Sequence, residues 1–294
     1  MKEEILIHLN IVHGAIWGAL ARKGLIELTS FDGTYLGGVV WANFVACFVI
    51  ASVQKFNKGS FFVGITTGFC GTLSSFSSLI LESFELGANY NHLSYPTVGY
   101  GVLQVITVII SQLGVSIFGY HLGVHSQFKL NTPQYVTYLS ALMGLLLFVA
   151  TVVLLGTYVP WREWMFSCLF APFGALMRYY LAKLNNRPFP VGTFIANIFG
   201  TTMLAVFTLL SMSHNNTTRI INTVIGCQAL IGAGDGFCGG LTTISTFVAE
   251  MFKLPVSMKY KYGSISVVIS FCIVLVILGS YHWTQGLVTP VCQL

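Results

Sequence analysis

The sequence predicts an all-α polytopic membrane protein: nine transmembrane helices in two inverted four-helix repeats, joined by a linker helix, with the third helix of each repeat broken. Three observations predict it. Hydrophobic residues make up 55% of the chain and charged ones only 8%, where a soluble domain carries roughly 25% charged residues. Nine apolar segments approach the ~20 residues a helix needs to cross a bilayer. Finally, residues 68–82 read GFCGTLSSFSSLILE and residues 236–250 read GFCGGLTTISTFVAE, a match without a gap. A polar, glycine-rich stretch duplicated inside an apolar chain marks a discontinuous helix at membrane depth, where function is sought.

The segments fall at about residues 5–22, 35–53, 61–84, 98–123, 134–158, 164–183, 191–212, 222–252 and 263–282. The first lacks a basic leader and a small-residue cleavage site, so it reads as a retained transmembrane helix. Its end, Gly18-Ala19-Leu20-Ala21-Arg22, matches Gly174-Ala175-Leu176-Met177-Arg178 in the sixth. In the second, Trp41-Ala42-Asn43-Phe44 matches Ile195-Ala196-Asn197-Ile198 in the seventh. The third and eighth hold the glycine-rich repeat. In the ninth, Tyr262, Ser266 and Ser270 recur every four residues and form a polar track on one helix face. The fourth offers Tyr100, Gln104, Thr107 and Ser111 as the matching set. The fifth has neither charge nor polar stripe and reads as a spacer. One unmatched crossing between two four-helix units inverts the second, giving units at 1–126 and 161–294 with a linker at 127–160.

Charge sets the orientation. Ten of the fourteen Lys and Arg residues (Lys2, Lys55, Lys58, Lys129, Arg178, Lys183, Arg187, Lys253, Lys259 and Lys261) fall on one side. Arg22, Lys23, Arg162 and Arg219 fall on the other, which places the N-terminus in the cytoplasm and the C-terminus outside. Asn215 and Asn216 begin Asn-x-Thr sequons in an outside loop. The seven cysteines show no zinc or disulfide-framework spacing.

The repeated stretch carries the chemistry. Its glycines, Gly68 and Gly71 with Gly236, Gly239 and Gly240, loosen the helix and free carbonyls, which must then find water, protein or a cation. Carbonyls from two copies suit a small hard cation such as sodium; the alternative is that the glycines serve close helix packing. Hydroxyls follow, Ser74-Ser75-Phe76-Ser77-Ser78 and Thr242-Thr243-Ile244-Ser245-Thr246, which donate to an anion without bringing a countercharge. A Phe ring edge carries the positive part of the quadrupole and also serves as a donor. Asn43 and Asn197 offer NH₂ donors or interhelical glue. Arg22 and Arg178, at the ends of the first helices, attract anions in a vestibule or are structural cations that snorkel to headgroups. Glu82 and Glu250 end the broken helices.

At these residues the chain resembles the Fluc (CrcB) fluoride channel family, in its fused eukaryotic branch, the FEX fluoride exporters. The motifs that carry the resemblance are GFCGGLTTISTF, GFCGTLSSFSSL, GALMRYY, GTFIANIFG and the Tyr262 track. The resemblance implies a passive, fluoride-selective channel that expels the ion from the cytoplasm. It also implies two pores and a central sodium ion on backbone carbonyls, here at Gly71, Thr72, Gly239 and Gly240. Phe76 and Phe247 become ring-edge donors; Ser77, Ser78, Ser245, Thr246, Asn43 and Asn197 become polar lining. The family pattern T-T-F-S-T-F has two Phe positions. This chain keeps the first in repeat one (Phe76, then Leu79) and the second in repeat two (Ile244, then Phe247). If each pore pairs the first position of one unit with the second of the other, one pore holds two rings and the other none. One conducting and one vestigial pore are therefore expected, in a single chain acting as its own dimer at the plasma membrane. A proton-coupled fluoride antiporter using Glu82 or Glu250 is the rival. A small-molecule exporter lacks its mid-helix acid here. No enzyme motif is present, and Gly232–Gly236, though glycine-rich, has no surrounding βαβ unit to bind a nucleotide. Nucleic acid is not an expected partner.

Overall fold

The computed structural model describes residues 2–29, 37–89, 95–97, 99–185, 188–215 and 218–293. Tyr35, Val98, Arg187 and Asn216, used in the sequence reading, lie outside the described residues. Among those described, eight helices are long and apolar enough to cross a membrane. They are α1 (Lys2–Thr29), α3 (Ser60–Gly87), α4 (Gly99–His125), α5 (Gln134–Thr157), α6 (Val159–Leu184), α7 (Val191–Met212), α8 (Val224–Lys253) and α9 (Val256–Thr284). The helix α2 (Val40–Lys55) is apolar but shorter.

Small residues decide how α1 meets α3. A Cβ on Gly14 would lie 2.1 Å from the Gly64 carbonyl oxygen, and one on Gly68 would lie 2.8 Å from that of Ile11. The pairing recurs between α6 and α8, where a Cβ on Gly174 would lie 2.2 Å from the Phe237 oxygen and one on Gly236 2.3 Å from that of Ser167. Real Cβ atoms do not approach so closely, so these glycines are required for backbone contact. Packing thus accounts for Gly68 and Gly236. The two first helices then meet through Ile11, Ala15, Ile16 and Ala19 on α1 and Met165, Cys168, Ala171 and Ala175 on α6, all buried in one apolar cluster.

The helix break lies one turn past the glycines. Residues Gly64–Cys70 and Gly234–Cys238 form wide π-helical turns and stay helical. The backbone becomes extended only at Ser74 (φ −85°, ψ 146°) and Ser75, and in α8 at Thr242 (φ −82°, ψ 157°). The reason is local competition. Ser and Thr side chains offer the backbone partners outside the helical ladder, and Ser75 caps the restarted helix by accepting from the Ser78 N–H.

Two further points depart from the sequence reading. The α5 helix does carry a seam of small and hydroxyl residues: Ser140, Ala141, Gly144 and Thr151 are buried. Ser140 Oγ lies 2.7 Å from His13 Nδ1 of α1. In addition, Cys227 and Cys292 form a disulfide that ties the C-terminal turn to the start of α8. Their separation of 65 residues gave no spacing motif to read. Between α7 and α8, His214–Asn215 pairs antiparallel with Thr218–Arg219.

Candidate functional site at the paired helix breaks

The two breaks interlock. Ser74 Oγ accepts from the Ile244 and Ser245 N–H groups at 3.2 and 3.1 Å. Reciprocally, Thr242 Oγ1 accepts from the Ser77 N–H at 3.2 Å. Each break is also held by its own second helix. Asn43 Oδ1 accepts from the Ser75 N–H at 2.9 Å, and Asn197 Oδ1 accepts from the Thr243 N–H at 2.9 Å. All of these groups are fully buried, where an unmade hydrogen bond costs about 1–3 kcal/mol. The side-chain oxygens of both asparagines are therefore committed to the break. The NH₂ of Asn43 reaches Gln112 Oε1 at 3.5 Å, and that of Asn197 reaches the Thr243 carbonyl at 3.3 Å.

The hydroxyls expected to line a pore divide in two. Ser77 Oγ sits 3.0 Å from Thr242 Oγ1, and Ser245 donates to the Cys70 carbonyl at 3.1 Å, so both clasp one repeat to the other. Ser78 Oγ pairs with Ser75 Oγ at 2.7 Å, while the Thr246 N–H donates to Thr243 Oγ1 at 3.3 Å, mirroring the Ser75 cap.

Beside the breaks, aromatic rings stand in file. Phe76 of one repeat meets Phe247 of the other with ring centroids 5.5 Å apart and planes at 59°. Phe247 meets Tyr262 at 4.8 Å, and Phe189 stands edge-on to Tyr262 at 5.1 Å. The Tyr262 hydroxyl donates to Glu250 Oε2 at 2.9 Å, and Thr193 and Asn185 donate to Glu250 Oε1 at 2.7 and 2.8 Å. One turn along α9 from Tyr262, Ser266 donates to the Tyr262 carbonyl. Ser270 is buried, and its hydroxyl has no partner among the described residues. Leu79 and Ile244 are fully buried in the same apolar cluster as the rings.

The matching track on α4 is not the one expected. Gln112 donates to Glu82 Oε2 at 2.7 Å, as Tyr262 does to Glu250, and Ser116 donates to the Gln112 carbonyl, as Ser266 does to that of Tyr262. Continuing by the same step of four places Tyr120 opposite Ser270, and Tyr120 is buried and stacked on Phe252 with centroids 4.6 Å apart. Tyr100 and Thr107, by contrast, are exposed on the outer face of α4. The signal in the sequence is the shared serine, Ser116 with Ser266, together with the glutamates Glu82 and Glu250.

Of the two roles expected of Arg22 and Arg178, vestibule and structural, their contacts support the structural one. Both side chains are buried. Arg22 donates to the carbonyls of Thr72 and Asp235. Arg178 donates to the carbonyls of Gly71 at 2.6 Å, Thr242 at 3.1 Å and Thr67 at 2.5 Å. The adjacent Lys23 takes the carboxylates instead, Asp235 at 2.6 Å and Glu163 at 2.9 Å.

These contacts bear on sodium. Two of the four positions the family resemblance assigns to it, Gly71 and Thr72, already give their carbonyl oxygens to guanidinium groups. A Cβ on Gly71 would lie 2.2 Å from Arg178 Nη2, and one on Gly239 2.4 Å from Arg22 Nη2, so the guanidiniums fill the space over both glycines. Gly240 is backed by the Ala171 carbonyl, 2.6 Å from its Cβ position. A third positive charge there would meet two others, and unit charges ~4 Å apart repel by about 4 kcal/mol at an effective dielectric of ~20. The residues present do not fit a sodium ion.

The fold and the site define a class: a polytopic helical membrane protein made of two copies of one unit, interlocked through helix breaks. The family model for CrcB-like protein, Camphor Resistance (CrcB), matches residues 9–124 and again residues 165–280. The chain belongs to the CrcB family. It is 46% identical to Fluoride export protein 1 of Candida albicans, over 95% of this chain and 80% of the relative. It is 31% identical to Fluoride export protein 1 of Saccharomyces cerevisiae, over 94% of this chain and 93% of the relative. The fluoride-specific ion channel FluC of Geotalea daltonii is 34% identical and covers 38% of this chain with 86% of its own length. No solved structure matches the chain.

Proposed function

We propose that the chain is a fluoride-selective passive channel that exports fluoride from the cytoplasm, through one functional pore at Phe76 and Phe247. The observation that carries this reading is the aromatic file: the two surviving Phe residues of a divided motif meet across the repeats and continue into Tyr262. Ring edges present positive potential to an anion. Beyond Tyr262 on α9, the Ser270 hydroxyl, without a partner among the described residues, extends the line of donors. Fluoride is costly to dehydrate, so a path needs donors along its length and a bore that excludes chloride.

The opposite crossing has Leu79, Ile244, Gln112 and Tyr120 at the corresponding places. Apolar side chains supply no donor, and a stacked tyrosine replaces the small Ser270. That crossing is vestigial in this reading. Nine helices cross the membrane, α2 among them, with the N-terminus cytoplasmic and the two four-helix units inverted about α5. One chain suffices, and the plasma membrane is where export relieves the cell. Fluoride enters as neutral HF and is trapped as the ion; an inside-negative potential drives it out with about 2.3 kcal/mol per 100 mV, so no coupling ion is needed.

Liposomes bearing the purified protein, loaded with fluoride and clamped with potassium and valinomycin, test this. The reading predicts electrogenic fluoride efflux with little chloride flux, indifferent to an imposed proton gradient. Efflux that requires the proton gradient would transfer the role to Glu82 or Glu250 and make the protein an antiporter.

A further inference from the structure

We propose that the guanidinium groups of Arg22 and Arg178 take the place of a central metal cation, so that this chain folds and works without sodium. Five backbone carbonyls converge on the two side chains: Thr67, Gly71 and Thr72 from α3, and Asp235 and Thr242 from α8. Carbonyl-only ligation is the setting of a hard monovalent cation; here the positive charge arrives on a side chain. A guanidinium has five N–H donors, no acceptor and a permanent charge, so it spans several carbonyls in one plane.

The geometry is reciprocal. Arg22 leaves α1 of the first repeat and reaches Asp235 in the second; Arg178 leaves α6 of the second and reaches Thr67 in the first. Thr67 and Asp235 are matching positions of the repeat. Each arginine therefore links the two units as a shared ion would. The half-helices end at Leu73 and Leu241, and the C-terminal end of a helix carries the negative end of its dipole. The ion pairs among the described residues belong to Lys23, which leaves the carbonyls as the contacts that hold both guanidiniums.

Gly71 and Gly239 complete the argument. For each, the three nearest atoms to an added Cβ belong to a single arginine, Arg178 and Arg22 respectively. Only glycine leaves the guanidinium room to lie on the backbone. These two glycines are therefore conformationally ordinary and sterically indispensable.

Thermal unfolding of the purified full-length protein tests the proposal independently of which ion it carries. Sodium is titrated at constant ionic strength against N-methyl-D-glucamine. The expected result is a midpoint that does not change with sodium. A midpoint that rises saturably with sodium overturns the proposal, whether or not fluoride flux is observed. A second measurement uses Gly71→Ala, Arg178→Gln and the double variant. Each single change lowers the midpoint, and the double lowers it no further than the worse single, because both remove one contact. Additive lowering contradicts the assignment. If Arg178→Gln cannot be recovered folded, the wild-type sodium titration decides alone.

Discussion

At the scale of single residues, the account turns on a division of labour between matched positions. Phe76 and Phe247 stand at different positions of the repeated motif, one in each repeat, and the structure brings them together at 5.5 Å. Ser270 has a buried hydroxyl without a partner among the described residues, while Ser116 of the other track is one turn from the bulky Tyr120. Ser270→Ala is therefore expected to lower fluoride flux in liposomes. Loss of one hydrogen bond, about 1–1.5 kcal/mol, corresponds to roughly a five- to tenfold fall in rate. Ser116→Ala leaves flux unchanged. Equal effects of the two would remove the distinction between the tracks. The Phe complementarity was legible in sequence because it is a statement about identity at aligned positions. The roles of Ser77 and Ser245 were not, because a serine hydroxyl serves a pore and a clasp equally well until its partner is seen. The structural role of the arginines was one of two left open for a similar reason: a cation near a helix end is ambiguous in sequence, and α1 continues past Arg22 to Thr29.

At the scale of elements, glycine had two readings, and contact decides between them. In α3 and α8 the glycines let α1 and α6 approach, and the break itself falls on Ser74–Ser75 and Thr242. Composition located the discontinuity to within a turn; the hydroxyl residues placed it. Gly236→Ala is expected to lower the thermal unfolding midpoint sharply, since its Cβ would lie 2.3 Å from the Ser167 oxygen. Gly114→Ala, with nothing within 4 Å of its Cβ, serves as the neutral control. Asn43→Ala removes the acceptor for the buried Ser75 N–H. The expected loss is about 1–3 kcal/mol of stability, read as a lowered midpoint of the same transition. The α4 track escaped the sequence reading because its first member is Gln112 where α9 has Tyr262; the repeat preserved the hydrogen bond to the glutamate and changed the residue that makes it.

At the scale of the whole molecule, fusing two units in one chain frees each copy to lose what the other retains. The apolar segments and the duplicated motif made this two-unit plan readable from sequence, because hydropathy and repetition survive drift. What joins the units was not readable: the reciprocal Ser74 and Thr242 bonds and the crossing arginines link residues far apart in the chain, as does the Cys227–Cys292 disulfide within the second unit. The disulfide fastens the C-terminal turn to the start of α8. Cys292→Ser is expected to cost stability, about 2–4 kcal/mol for a typical disulfide, while leaving fluoride selectivity as it was in the flux assay. The central claim is that one crossing conducts and the other does not. Its most direct test is fluoride efflux at clamped potential from liposomes containing Phe247→Ile beside liposomes containing Ile244→Val. The account predicts that Phe247→Ile abolishes efflux and Ile244→Val retains it; equal tolerance of both changes would contradict it.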